Sequence, residues 1–116
     1  PGRVKPAACD TPVSSVDLVP TALAAAGLPV PADLPGLNLL DPAAVAARPA
    51  VFGEIYEHNA VDIRKPAANL QYRWVVRGTW KLIVPHAPRV TDGAVELYDL
   101  AADPDETRNL AEKVPD

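Results

Sequence analysis

Several residues in this chain are of the types that carry chemistry, and their spacing decides what each could do. In Glu54-Ile55-Tyr56-Glu57-His58-Asn59 a histidine closes what reads as a strand. A side chain placed there projects over a neighbouring cleft, and its imidazole has a donor for a ligand oxygen. His58 is therefore the candidate substrate-binding residue, although a solvated loop histidine is the commoner reading. Asp99, Asp103, Asp105 and Asn109 are oxygen-bearing and close together, as a calcium site would need. Their spacing around Pro104 fits turn and cap residues better, so no metal site is assigned.

Arg73 and Arg77 lie four apart on one predicted strand and share a face with Val75. They could edge an anionic ligand, but pairing with neighbouring Glu or Asp is the simpler expectation. Trp74 and Trp80 could stack on a ring, yet burial is the usual fate of such large side chains. His86, between Pro85 and Ala87, reads as a solvated loop residue. Cys9 stands alone in Cys9-Asp10-Thr11-Pro12-Val13. One cysteine excludes an internal disulfide and leaves the redox environment open. No residue is assigned a catalytic role.

The elements that must position these groups follow from pattern and punctuation. Residues 14–27 read as a helix, with Ser14 or Ser15 as cap, Asp17 near the positive end and Pro20 tolerated close to the first turn. Leu18 or Val19 with Ala22, Leu23 and Ala26 forms the apolar stripe, and Gly27 the stop. Residues 28–49 hold five prolines and only one helical turn, after Asp41-Pro42. Val51–Glu57 alternates as a strand, and residues 58–71 form a polar loop. Tyr72–Arg77 and Trp80–Val84 flank Gly78-Thr79, a hairpin signal of type II′. Glu96–Leu100 is a further short strand, and Asp105–Ala111 is expected to begin a helix.

The fold class expected is α+β: an antiparallel sheet of about four strands with flanking helices. The chain is one partial domain, 1–49 a linker and helix and 50–116 the sheet. At 116 residues it has room for one small core. Aromatic residues make up 5%, and fourteen prolines crowd mainly into the first half, so that core is modest. The net charge of −4 and scattered Lys and Arg exclude a general nucleic-acid surface. No apolar run reaches the roughly 18 residues of a membrane span. Few helical apolar residues oppose the sheet, so its covering layer looks incomplete, as in a truncated chain.

The run Glu96–Leu110, ELYDLxxDPxExxNL, resembles the C-terminal region of sulfatases of the alkaline-phosphatase superfamily. Four other segments resemble that region in the same order. They are Pro1-Gly2-Arg3-Val4-Lys5-Pro6, the helix Thr11–Leu23, Leu34–Leu40 and the hairpin Trp74–Ile83. Each alone is weak, but five in order make coincidence a poor account.

The resemblance implies an arylsulfatase-like parent that hydrolyses sulfate esters, with sugars among the candidate substrates. It implies a formylglycine nucleophile and a calcium ion in that parent, on a catalytic domain N-terminal to this chain. None of that apparatus maps here: Cys9 lacks the C-x-P-S-R pattern, with Pro12 third and no Arg fourth. By the same resemblance, this segment supports the fold and walls the substrate pocket, where His58 would meet sugar hydroxyls or sulfate oxygens. By itself it is expected to show no sulfatase activity. A phosphate or phosphonate ester hydrolase of the same superfamily, or a free-standing binding module, are the alternatives. Periplasmic, secreted and lysosomal settings stay open.

Overall fold

Ser14 is extended (φ −121°, ψ 154°), and the chain then turns through a 3-10 turn, Ser15–Asp17, into α1, Leu18–Ala25. In this computed structural model residues 8–59, 62–87 and 89–113 are described, so the Pro1–Pro6 segment and the chain's last residues lie outside them. The contacts group the chain into two units, residues 1–51 and 52–116.

In the first unit, α1 ends as its glycine predicts. Gly27 takes φ +73°, its N–H donates to the Ala24 carbonyl at 3.1 Å, and Leu28 N–H reaches the Leu23 carbonyl at 2.9 Å. This pair of bonds around a left-handed glycine is a Schellman cap. The packed side of α1 is not the apolar stripe expected from hydropathy. Leu18 and Val19 are 64% and 54% exposed, whereas Asp17 and Pro20 are buried. Hydrogen bonding sets the orientation: Thr21 Oγ1 donates to the Asp17 carbonyl at 2.6 Å and accepts from Leu39 N–H at 2.9 Å. The segment 36–39 thus lies against the polar side of the helix start. Gly36 permits that approach, since it has φ +95° and a Cβ there would lie 2.4 Å from the Val16 carbonyl oxygen.

The single turn expected after Asp41 is α2, Pro42–Ala46. Asp41 Oδ1 accepts from Ala43 and Ala44 N–H at 3.0 and 3.1 Å, with proline at the first helical position. Val45 is buried.

The sheet has four strands in the order β1 (Val51–Tyr56), β2 (Leu70–Arg77), β3 (Trp80–Pro85) and β4 (Glu96–Asp99). β2 and β3 pair antiparallel from Tyr72↔Pro85 to Arg77↔Trp80, and β3 pairs with β4 from Trp80↔Asp99 to Ile83↔Glu96. Gly78 takes φ +58° while Thr79 does not have positive φ, the pattern of the expected II′ turn. β2 starts two residues before Tyr72, because a 3-10 turn, Pro66–Asn69, delivers Leu70 into the core fully buried. Trp74, half-buried, lays its indole across Gly53; a Cβ there would meet the ring at 2.2 Å.

The helix expected from Asp105 does not form. Residues 100–113 are a succession of turns. Asp103 Oδ1 accepts from Thr107 N–H and Oγ1, its Oδ2 accepts from Arg108 N–H at 2.8 Å, and Glu106 adopts φ +54°. A short acceptor that captures amides four and five residues on competes with helical bonding, and the left-handed residue breaks the helical path.

Candidate functional site

Beyond β1, the described residues 57–59 and 62–65 lie between the strand and the Pro66–Asn69 turn. Bonds among the described residues tie the two ends of this excursion together. Glu57 N–H donates to the Asn69 carbonyl at 2.8 Å, and Asn69 Nδ2 donates to the Asn59 carbonyl at 2.6 Å. Asn69 is buried, so its amide acts as a strut under the loop. The Asp62 carboxylate folds back on its own loop, with Oδ1 accepting from Arg64 N–H at 2.9 Å; the Asp62 carbonyl accepts from Lys65 N–H at 3.0 Å.

The excursion encloses an open cavity of about 300 Å³ lined by Tyr56, Glu57, His58, Asp62, Ile63, Pro66 and Asn69. Tyr56, Ile63 and Pro66 supply apolar surface, and Glu57, His58 and Asp62 supply polar tips. Glu57 is ion-paired with Arg89. Tyr56 donates its hydroxyl to Glu54, whose other oxygen accepts from Arg73 Nε at 2.9 Å. The Tyr56 phenol is pushed up by its bond to Glu54, and the Glu54 carboxyl is held down by Tyr56 first and Arg73 second. Apolar surface beside directional polar groups suits a ligand that carries both kinds of surface. A nucleophile held against a base is not among these contacts.

Of the residues singled out from sequence, His58 lies in this cavity and is exposed. Arg73 is taken up by Glu54 on the sheet face it shares with Arg77, the pairing that the sequence made the simpler expectation. His86 is half-buried, and its backbone closes a turn: its N–H donates to Gln71, and its carbonyl accepts from Arg89 and Val90 N–H. Trp80 is 43% exposed, and Cys9 is exposed. The acidic run is occupied as caps. Asp99 Oδ1 accepts from Ala101 N–H at 3.1 Å, and Asp103 is held below the usual carboxylate range by the Thr107 and Arg108 N–H groups. Asn109 accepts from Leu97 and Ala111 N–H at 3.0 and 2.9 Å and donates to the Val95 carbonyl at 3.0 Å. Leu110 N–H donates to the Leu97 carbonyl at 2.8 Å. The motif's polar residues thus stitch a turn onto the outer edge of β4. Among the described residues no group of three or more His, Cys, Asp or Glu is placed to hold a metal ion.

A family model described as N-sulphoglucosamine sulphohydrolase, C-terminal, matches residues 1–115. The chain belongs to this sulfatase C-terminal family. It is 31% identical over 112 residues to Arylsulfatase K of Xenopus laevis, covering 91% of this chain and 20% of that protein. Against Arylsulfatase K of Rattus norvegicus it is 32% identical over 117 residues, covering 90% and 18%. The chain therefore spans about a fifth of the length of the curated relatives it matches. A solved structure reported with the metabolism of multiple glycosaminoglycans by Bacteroides thetaiotaomicron superposes with a TM-score of 0.74 at 19% identity, covering 99% of this chain and 26% of that one. That likeness shows the fold: a four-stranded antiparallel sheet with a few helices, as the sequence led us to expect.

Within the sulfatase C-terminal fold, the cavity's other lining residues escaped the sequence reading. Tyr56, Asp62, Ile63 and Asn69 fell in or beside a stretch read as polar loop. The signal was there in Val61, Ile63 and Leu70, large apolar residues inside a stretch read as polar loop.

Proposed function

We propose that this chain is the C-terminal portion of a hydrolase of sulfate esters, and that it contributes a wall of the substrate site through the His58 cavity rather than the reacting groups. The observation that carries the first half is the family match over residues 1–115, supported by Arylsulfatase K relatives that align with about nine-tenths of the chain. The second half rests on His58 lining a cavity beside the Asn69 bond to the Asn59 carbonyl. Sulfated sugars are the proposed substrate class; the structural neighbour was reported with glycosaminoglycan metabolism.

Calcium and a formylglycine nucleophile belong, in this proposal, to the rest of the parent polypeptide, the N-terminal catalytic domain that is this chain's partner. The residues here do not fit either group. Asp99, Asp103 and Asn109 spend their oxygens on backbone N–H groups, and Cys9 lies outside any C-x-P-S-R sequence. No chemical step is therefore routed through this chain.

The test is turnover by the full-length polypeptide that contains this chain, using an aryl sulfate, a sulfated disaccharide and the matching phosphate esters. Cleavage of sulfate esters in preference to phosphate supports the proposal. Cleavage of phosphate esters alone, or turnover by residues 1–116 in isolation, overturns it.

A further inference from the structure

We propose that Asp92-Gly93 is a site of covalent modification, at which the folded protein converts aspartate into isoaspartate through a cyclic succinimide. The proposal goes beyond the reading above and stands whatever ester the parent polypeptide cleaves. Three observations carry it.

The first is the sequence. Of all the Asp and Asn residues in the chain, Asp92 is the only one followed by glycine. The reaction requires the next residue's backbone nitrogen to reach the side-chain Cγ, and a side chain on that residue hinders the approach. Glycine has no such obstacle and adopts the dihedral angles that ring closure demands. Asp41 and Asp103, by contrast, precede prolines, which have no N–H to lose.

The second is that both reacting groups are free. Asp92 is exposed, in an irregular segment between β3 and β4. Among the described residues its carboxylate accepts no hydrogen bond, and the Gly93 N–H donates none. Asp17, Asp99 and Asp103 differ, since each holds backbone N–H groups with its carboxylate oxygens. A nitrogen committed to a ladder or a cap would have to give up that bond before it could attack.

In the step itself, the Gly93 nitrogen attacks Cγ of the protonated Asp92 carboxyl. An N–Cγ bond forms, and the nitrogen's hydrogen leaves with the carboxyl hydroxyl as water. Water then opens the ring. Attack at the main-chain carbonyl of residue 92 leaves the chain running through Cβ and Cγ, with a carboxylate where the peptide bond had been. The water lost is regained, so the mass is unchanged and no other reactant is needed.

The third is what the longer backbone disturbs. Gly93 sits in close contact: a Cβ there would lie 2.6 Å from Val90 Cγ1 and 2.9 Å from Pro85 Cβ. Shortly after it the chain is fixed again. The Val95 carbonyl accepts from Asn109 Nδ2 at 3.0 Å, and Glu96 pairs with Ile83. An extra backbone atom between Asp92 and Gly93 must lift Gly93 off Pro85 and Val90 or strain the entry to β4, because packed contacts absorb little displacement.

The experiment is ageing of the full-length polypeptide at neutral pH in heavy-oxygen water, followed by peptide mass spectrometry that separates isoaspartate from aspartate. Each passage through the succinimide leaves one heavy oxygen in the product. Isoaspartate and label are expected at residue 92 ahead of every other Asp in residues 1–116. Asp92→Glu needs a larger ring and should form none. Asp92→Asn should react faster, because its amide is the more readily displaced group. Aged wild type should unfold at lower temperature than fresh protein, and aged Asp92→Glu should not. No isoaspartate at residue 92 in the folded protein, label spread evenly over the aspartates, or accumulation only in denaturant overturns the site. Isoaspartate at residue 92 with unchanged unfolding overturns the disturbance of β4.

Discussion

Arg48 grips Asp17 with both arms of its guanidinium, Nη1 to Oδ2 at 2.7 Å and Nη2 to Oδ1 at 2.6 Å. The Asp17 side chain is wholly buried and that of Arg48 is 10% exposed. Asp17 also accepts from Ser14 N–H and Leu37 N–H, each at 2.8 Å, so one carboxylate joins the start of α1, the 36–39 segment and the end of α2. In a unit with few large buried apolar side chains, this clasp holds segments that proline has broken apart.

Arg48→Ala leaves that carboxylate buried without its cation. Breaking a buried pair in this way costs about 3 to 5 kcal/mol. Arg48→Lys should recover only part, because an ammonium cannot reproduce the fork. Hydrogen exchange at the Leu37 amide is the local reporter. It is expected to lose most of its protection in Arg48→Ala and part of it in Arg48→Lys. Unchanged protection in both would show that the clasp contributes little.

The same contact fixes an acid limit. The Arg48 fork holds the Asp17 carboxyl well below the usual carboxylate range, burial opposes it, and the Ser14 and Leu37 N–H groups add to the lowering. A carboxyl depressed in the folded state contributes stability that is present above its unfolded value, about 3.9, and is lost as pH falls toward the folded value. Leu37 exchange, corrected for its intrinsic pH dependence, should therefore report constant stability from pH 7 to about 4 and a decline below. In Arg48→Ala burial dominates and the folded carboxyl moves above its unfolded value, so the decline should vanish and stability should instead rise as pH falls. A wild-type decline that began near pH 6 would contradict the assignment.

How far these features were legible depended on their range. The Asp41 cap, the Gly27 stop, the Gly78-Thr79 turn and the strands are local, and each was readable from a few neighbouring residues. Asp17 was read as a residue favouring the helix start, which it is, but its partner lies 31 residues away across five prolines. No period links such a pair. Hydropathy misassigned the inward face of α1 because Thr21 and Asp17, two polar residues, are the ones that dock. The C-terminal segment failed differently. Asp-Pro followed by Glu and Asn is a fair helix start, and only the reach of Asp103 to Arg108 shows why a turn wins. His58 was visible at a strand end, whereas the cavity around it depends on the loop's return through Asn69.

Asn109 is expected to hold the outer edge of β4. Asn109→Ala removes an acceptor for Leu97 N–H and Ala111 N–H and a donor to the Val95 carbonyl. The groups released are exposed to water, so the cost should be about 1 kcal/mol and not the larger penalty of buried orphans. Asn109→Asp retains the acceptor and loses the donor, and should fall between. Denaturant unfolding of the full-length polypeptide would rank the three, with the Leu97 amide exchanging fastest in Asn109→Ala. Equal exchange in all three would mean that the Leu110 bond to Leu97 suffices to hold the turn.

Gly53 should accept no side chain. Its built Cβ lies 2.2 Å from Trp74 Cε2 and Cζ2 and 2.6 Å from Nε1, so even Gly53→Ala must push the indole away. Overpacking of this kind costs about 1 to 3 kcal/mol. Displacement would carry Trp74 from its half-buried position toward water, and its emission should shift to the red. Trp80, already 43% exposed, contributes a background that Trp80→Phe removes. In a Trp80→Phe background, Gly53→Ala is expected to red-shift the emission of this tryptophan and lower the unfolding midpoint. Adding Trp74→Leu, which vacates the space over residue 53, should restore much of the midpoint, since the two effects share one contact and cannot be additive. Additive losses would place the clash elsewhere than on the Trp74 ring.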